Sequence, residues 1–218
     1  MKVNDTLANS TRAAHDVGLA AWLGGAMFGK FALNPSLVKI SNRAERGSVS
    51  SAAWNGYNVI NTVGLGTAAL GWAAARATEA SSGELSGREK ALSAAKDGLM
   101  ASSVLTGVLS GVQGARLAKQ APEGAVPIET GTKPAPDTPP NAAKIQRRLG
   151  TLGNLNIVSG VALVAVNAVL AQTNHSRPST SRALRRPSSS ANPASPLWIA
   201  SGVATVAALG DQLRRRLA

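Results

Sequence analysis

The sequence predicts an all-α fold: a transmembrane helical bundle of four to five helices with Pro/Ser-rich linkers. Three observations predict it. First, apolar Gly/Ala-rich runs recur along the chain, each about 20 residues long. A helix of that length rises about 30 Å, the thickness of a bilayer core. Second, aromatic residues make up only 3% of the chain against 22 glycines. That is a poor supply for a soluble core and a good one for helices that approach backbone to backbone in lipid. Third, polar residues gather between the runs, so a mean hydropathy of +0.02 averages over a segmented chain.

The first predicted span, 13–34, is followed by Asn34 and Pro35, where proline discourages further helix. It reads as a retained span rather than a cleaved signal, because no small-residue cleavage site follows it. The second span, 52–76, carries Trp54 and Tyr57 near one end and Trp72 near the other, the placement of aromatic belts. A mixed-charge connector over 77–97 precedes the third span, 98–118, and its Ser86 and Glu89 have capping-box spacing. Prolines concentrate in 119–144, which reads as a flexible linker, and the fourth span occupies 149–172. Residues 1–172 thus form one four-helix transmembrane bundle, 173–196 a disordered linker, and 197–218 a fifth transmembrane or interfacial helix with a basic tail.

The formal net charge is +12 and the isoelectric point about 11.3. Solvated loops and helix ends lying on anionic lipid account for that excess. Aromatic interleaving, an RNP-like pattern, zinc-finger spacing and a basic helix are all missing, so no nucleic-acid partner is expected. Basic residues crowd the ends of the spans on the side opposite the N-terminus, which orients the N-terminus outward and the C-terminus toward the cytoplasm. The chain has no cysteine, which excludes disulfides and thiolate metal sites.

Candidate polar sites are few. His15 and Asp16 are adjacent ionisable residues near the start of the first span, where an imidazole beside a carboxylate suits proton transfer. Asn55, Asn58 and Asn61 recur every third residue and are expected to face other helices, since amides facing lipid are costly. Gln113 belongs to a polar face with Ser103, Thr106 and Ser110, while Asn156 and Asn167 stand about three turns apart on one face. Gly25 and Gly29, and likewise Gly107 and Gly111, have the four-residue spacing of close helix packing. Neither a metal site nor a cofactor is expected, and haem is disfavoured because the second histidine, His175, falls in a linker-like stretch. No hydrolase, zincin, P-loop or dinucleotide-binding signature occurs, so the chain is not expected to be an enzyme.

The run from His15 to Gly25, with Trp22-Leu23-Gly24-Gly25 inside it, followed by the Asn-containing second span, resembles a family of uncharacterised actinobacterial multi-span membrane proteins. Together with Asn154-Leu155-Asn156 it is also similar, more weakly, to small four-span families that include copper-resistance-type membrane proteins. This chain lacks the additional His, Met and Cys that a copper role needs. The resemblance implies a multi-pass location in the cell membrane and no particular chemistry. The expected function is therefore that of a non-enzymatic integral membrane protein, a scaffold or accessory subunit in contact with the lipid bilayer and with further copies or complex subunits. The alternatives are a small solute or ion transporter using polar faces between helices, and a soluble helical bundle that binds partners.

Overall fold

A computed structural model describes residues 5–78, 85–121 and 126–175. Among the described residues there are four long helices: α1 (Asp5–Phe28), α2 (Arg43–Thr78), α3 (Gly87–Ala118) and α4 (Pro140–His175). A two-stranded hairpin, β1 (Ile128–Thr130) and β2 (Lys133–Pro134), stands between α3 and α4. The described residues are thus all-α apart from this hairpin. The expectations for 176–196 and for a fifth helix over 197–218 lie outside the described residues.

Each of the four predicted spans within the described residues falls in a helical stretch, but the helices run past the predicted limits. Helix α3 starts at Gly87 because Ser86 caps it: Ser86 Oγ accepts from the Glu89 N–H at 3.3 Å, and the Glu89 carboxylate accepts from the Ser86 N–H at 2.9 Å. Pro35 does not stop α1 outright. One π-helical turn, Gly29–Leu33, intervenes, in which the Asn34 N–H donates to the Gly29 carbonyl. A wider turn of this kind commonly absorbs a break in the α-helical ladder. Short helical turns then carry the chain to Lys39, and Ile40 is extended.

The flexible linker expected over 119–144 needs correction. Residues 126–139 are organised, and α4 already starts at Pro140. The prolines here shape turns. The Thr138 hydroxyl donates to the Pro127 carbonyl at 2.6 Å and accepts from the Ala135 N–H at 2.8 Å. Arg46 anchors the hairpin to α2, donating from Nη1 to the Glu129 carbonyl at 3.0 Å and from Nε to the Ile40 carbonyl at 2.6 Å. Arg43 adds ion pairs to Glu129 and Asp137, both at 3.6 Å.

The helices alternate in direction. Helix α1 packs along α2 and α3 along α4, and these pairings dominate the tertiary contacts. The first pair meets through small residues. A Cβ added at Gly18 would lie 2.5 Å from the Gly64 carbonyl oxygen, so only glycine permits this approach. Further along, Gly25 faces the Tyr57 ring and Gly29 the Trp54 ring, as their spacing predicts. The two pairs join where Trp22 and Leu23 of α1 meet Gly160 of α4 and where Leu65 of α2 meets Gly107 of α3. The core comprises Leu19, Trp22, Leu23, Leu65, Ala68, Trp72, Met100, Leu163 and Leu170, with Trp22 and Leu163 fully enclosed. Gly111 corrects the expectation drawn from its spacing: no neighbour comes within 4 Å of a Cβ there.

The outer surface is apolar along most of each helix. Exposed large side chains include Val17, Phe28, Ile60, Leu70, Leu105, Val108, Leu155, Val158 and Val161. By length and composition, among the described residues, only the stretch Pro140–Thr173 is long and apolar enough to cross a membrane. The Asn, Ser, Thr and Gly content of the other helices dilutes their hydropathy.

Candidate functional site

A polar cluster forms at the end of the bundle where α1 and α3 begin and α2 and α4 end. Its geometry starts from α1. Gly71 of α2 leaves room for His15: a Cβ there would stand 2.9 Å from His15 Cβ. His15 is consequently buried and donates from Nδ1 to the Ala68 carbonyl at 2.6 Å. A carbonyl can only accept, so Nδ1 carries a proton, and in the neutral ring Nε2 presents a lone pair. Nε2 is enclosed and meets no partner among the described residues.

Asp16, the next residue, points to α4 and accepts from Asn167 Nδ2 at 2.9 Å. Asn167 turns its other amide atom toward α3, where Oδ1 accepts from Lys96 Nζ at 2.5 Å. One neutral amide therefore bridges a carboxylate and an ammonium. Lys96 is only 3% exposed, and its ammonium lies 4.0 Å from the centre of the Trp72 ring, within cation–π range. Trp72 in turn donates from Nε1 to Asp97 Oδ1 at 2.8 Å, and Arg76 binds the same carboxylate with an ion-pair distance of 3.0 Å. Lys96 stands two residues before the predicted span 98–118. Burial pushes its ammonium down to about 8, against the upward pull of Asp16 and Asp97. The cluster therefore joins an acid, a base close to losing its proton at mildly alkaline pH, and an imidazole with an open lone pair.

A second polar feature runs between α3 and α4. Ser102 Oγ and Ser159 Oγ are 3.1 Å apart, and Thr106 donates to its own helix at the Ser102 carbonyl, 2.8 Å away. Ser103 Oγ, Asn156 Oδ1 and Gln113 Oε1 are enclosed without partners among the described residues. Met100 and Leu163 contribute apolar bulk to the same interior.

Of the sequence candidates, the fold brings His15, Asp16 and Asn167 into one cluster. Asn156 and Gln113 belong to the α3/α4 seam instead. The asparagine face of α2 is corrected: Asn55 and Asn58 are exposed and Asn61 is half-buried. Steps of three residues rotate by about −60° around a helix, so these amides drift off the face that meets α1. That inner face belongs to Tyr57, Gly64 and Ala68, with the Tyr57 hydroxyl donating to the Ala21 carbonyl. Lys96 and Asp97 are absent from the sequence candidates because 77–97 reads as a charged connector, and Arg76 because it reads as the end of the second span. The signal was present, since Ser93, Lys96, Met100, Ser103 and Thr106 follow helical spacing and are all buried. Among the described residues no three His, Asp or Glu side chains gather to hold a metal ion. No family of proteins, no curated protein and no solved structure matches the chain.

Proposed function

We propose that the protein is a multi-pass integral protein of the cell membrane, a non-enzymatic scaffold or accessory subunit embedded as a helical bundle. One observation carries the reading: large apolar side chains are exposed outside while polar side chains share the interior with the apolar core. Leu70, Leu105, Val158 and Phe28 face outward, while His15, Lys96, Ser103, Asn156 and Ser159 are buried. Contiguous exposed apolar surface on this scale marks contact with lipid or with other apolar surfaces. Inside, small and hydroxyl-bearing residues supply close packing and interhelical hydrogen bonds, which drive helix association in lipid. The short apolar stretches of α1, α2 and α3 count less against insertion once their polar groups face one another.

Exposed Asn55 and Asn58 lie among apolar residues on the outer side of α2. In lipid such amides are stabilised by a neighbouring helix, which favours association with a further copy or with another membrane subunit. The partly unsatisfied seam of Ser103, Asn156 and Gln113 supports a second reading, passage of a small solute or ion between α3 and α4.

Alkaline carbonate extraction of membranes tests the location: the protein is expected in the pellet, and its release would overturn both readings. Purification in mild detergent then separates the two. A scaffold loses its co-purifying partners or its self-association in the double variant Asn55→Leu/Asn58→Leu and shows no flux in proteoliposomes. A conducting protein shows flux that Asn156→Leu abolishes and Asn58→Leu leaves intact.

A further inference from the structure

The hairpin end of the bundle holds a cleft of about 610 Å³ lined by Lys30, Lys133, Arg147, Thr132, Thr151 and Asn154, with Pro134 and Gly150 completing the wall. We propose that this cleft binds a phosphate group borne on a larger molecule, presented either by an anionic lipid headgroup or by a soluble phosphate ester.

Three elements each supply a cation. Lys30 comes from the π-helical turn that closes α1, Lys133 from β2, and Arg147 from α4, about two turns in from Pro140. No carboxylate lines the cleft. The hairpin does carry acids close by, but they are already engaged: Glu129 pairs with Arg43 and Arg46, and Asp137 pairs with Arg43. Acid charge is thereby drawn toward α2, and among the described residues Lys30, Lys133 and Arg147 have no carboxylate partner. The wall is held in place rather than draped. Arg46 fixes the Glu129 backbone, Thr138 ties the two sides of the turn, and Gly131 lies against the Asn34 side chain.

The donor set suits phosphate better than a carboxylate. A carboxylate is satisfied by one bidentate arginine, whereas a phosphate offers several oxygens to separate cations and hydroxyls. Thr132 and Asn154 provide neutral donors beside the three cations, while the Thr151 hydroxyl donates to the Arg147 carbonyl at 3.3 Å. A cleft of this volume also falls in the range of small-molecule sites, roughly 300–1,000 Å³, and exceeds what a bare phosphate fills. The lipid form of the proposal rests on the membrane reading above. At this end of the bundle the helices leave their apolar stretches, the level at which headgroups lie. The phosphate chemistry does not depend on that reading.

The test uses the purified full chain in a neutral detergent. Native mass spectrometry scores retention of phosphatidic acid against phosphatidylcholine, and calorimetric titration with glycerol 3-phosphate scores the soluble form. Each is repeated on Lys30→Gln/Lys133→Gln/Arg147→Gln and on a control of equal charge change, Lys39→Gln/Arg116→Gln/Lys119→Gln. Retention of phosphatidic acid that falls at least tenfold in the cleft variant and less than twofold in the control supports the lipid source. The same pattern for glycerol 3-phosphate, without lipid retention, supports the soluble source. Equal losses in both variants, equal retention of phosphatidylcholine, or no binding of either probe would overturn the proposal. Arg147→Gln alone, at an exposed side chain, gives a two- to threefold loss and keeps the test valid if the triple variant fails to fold. Carbonate release of the protein would remove the membrane reading and leave the glycerol 3-phosphate arm standing.

Discussion

The two ends of the bundle handle charge in opposite ways. Where α1 and α3 begin, charged groups are tied across the helices by neutral and charged partners: exposed Asp16 to Asn167, Asn167 to buried Lys96, and partly exposed Asp97 to Trp72 and Arg76. At the hairpin end the acids Glu129 and Asp137 are taken up by Arg43 and Arg46, and a separate set of cations is left facing a cleft. Burial of Lys96 accounts for its pairing. A charge without water must be paired within hydrogen-bonding reach, whereas a charge at an open cleft keeps its hydration. One end therefore holds helices together, and the other holds a hairpin and leaves cations free for an incoming anion.

The comparison is broken most severely at Arg46. Arg46→Ala removes donors to the carbonyls of Ile40, Val38 and Glu129. Hydrogen bonds from charged groups are worth about 1.5–3 kcal/mol each, so a loss of about 3 kcal/mol is expected. The measurement is limited proteolysis, with new cleavage within 126–139; an intact hairpin would show that the anchor lies elsewhere.

At the opposite end Asp97→Ala leaves the Trp72 N–H and the Arg76 guanidinium without their shared acceptor. This pair is partly exposed, so the expected loss is smaller, about 1–2 kcal/mol. Thermal unfolding followed by tryptophan fluorescence reports it directly, because Trp72 belongs to the site. An unchanged midpoint would mean that water replaces the carboxylate.

The pH response of Lys96 sharpens the contrast further. Its ammonium is held near 8 in the folded protein and near its ordinary 10.5 when unfolded. Between those values the unfolded chain binds more protons, so stability rises with pH across the window from about 8 to about 10.5. Melting temperatures of the parent protein should climb over that range, and those of Lys96→Met should not. Parallel profiles would place the buried proton on another group.

The smallest effect is expected at Gly111. Gly111→Ala meets open space, so the substitution should change stability by no more than about 1 kcal/mol and in the stabilising direction, from helix propensity. Gly107→Ala, which would press on Leu65, should destabilise instead. Denaturant midpoints of the two variants, measured side by side, give the sign of each.

Much of the helical layout was legible in the sequence, because apolar runs and the Ser86/Glu89 cap are local signals. Gly25 and Gly29 were legible for the same reason: small residues four apart mark a packing face wherever the partner stands. The Asn55/Asn58/Asn61 stripe misled because recurrence alone does not say which side of a helix is covered. The aromatic residues just before two of them, Trp54 and Tyr57, took the inner face. Lys96 was hidden by composition, since a charged stretch between apolar runs reads as a connector until its helical phase is followed into the next run. The hairpin was hidden by its prolines, which suit an extended chain as well as a tight turn. The Thr138 bonds and the long-range bonds from Arg43 and Arg46 decide between them.

Synthesis delivers α1 and α2 first. The glycine crossing of Gly18 with Gly64 and the Tyr57 bond to Ala21 join residues that all lie within the first 78 positions. The residues of that pair are all made before Lys96, Gly160 or Asn167. The later pair supplies Gly160, which seats against Trp22. The amide of Asn167, which binds Asp16 on one side and Lys96 on the other, is the last part of the cluster to be added, so the polar end of the bundle locks only when the fourth helix is in place.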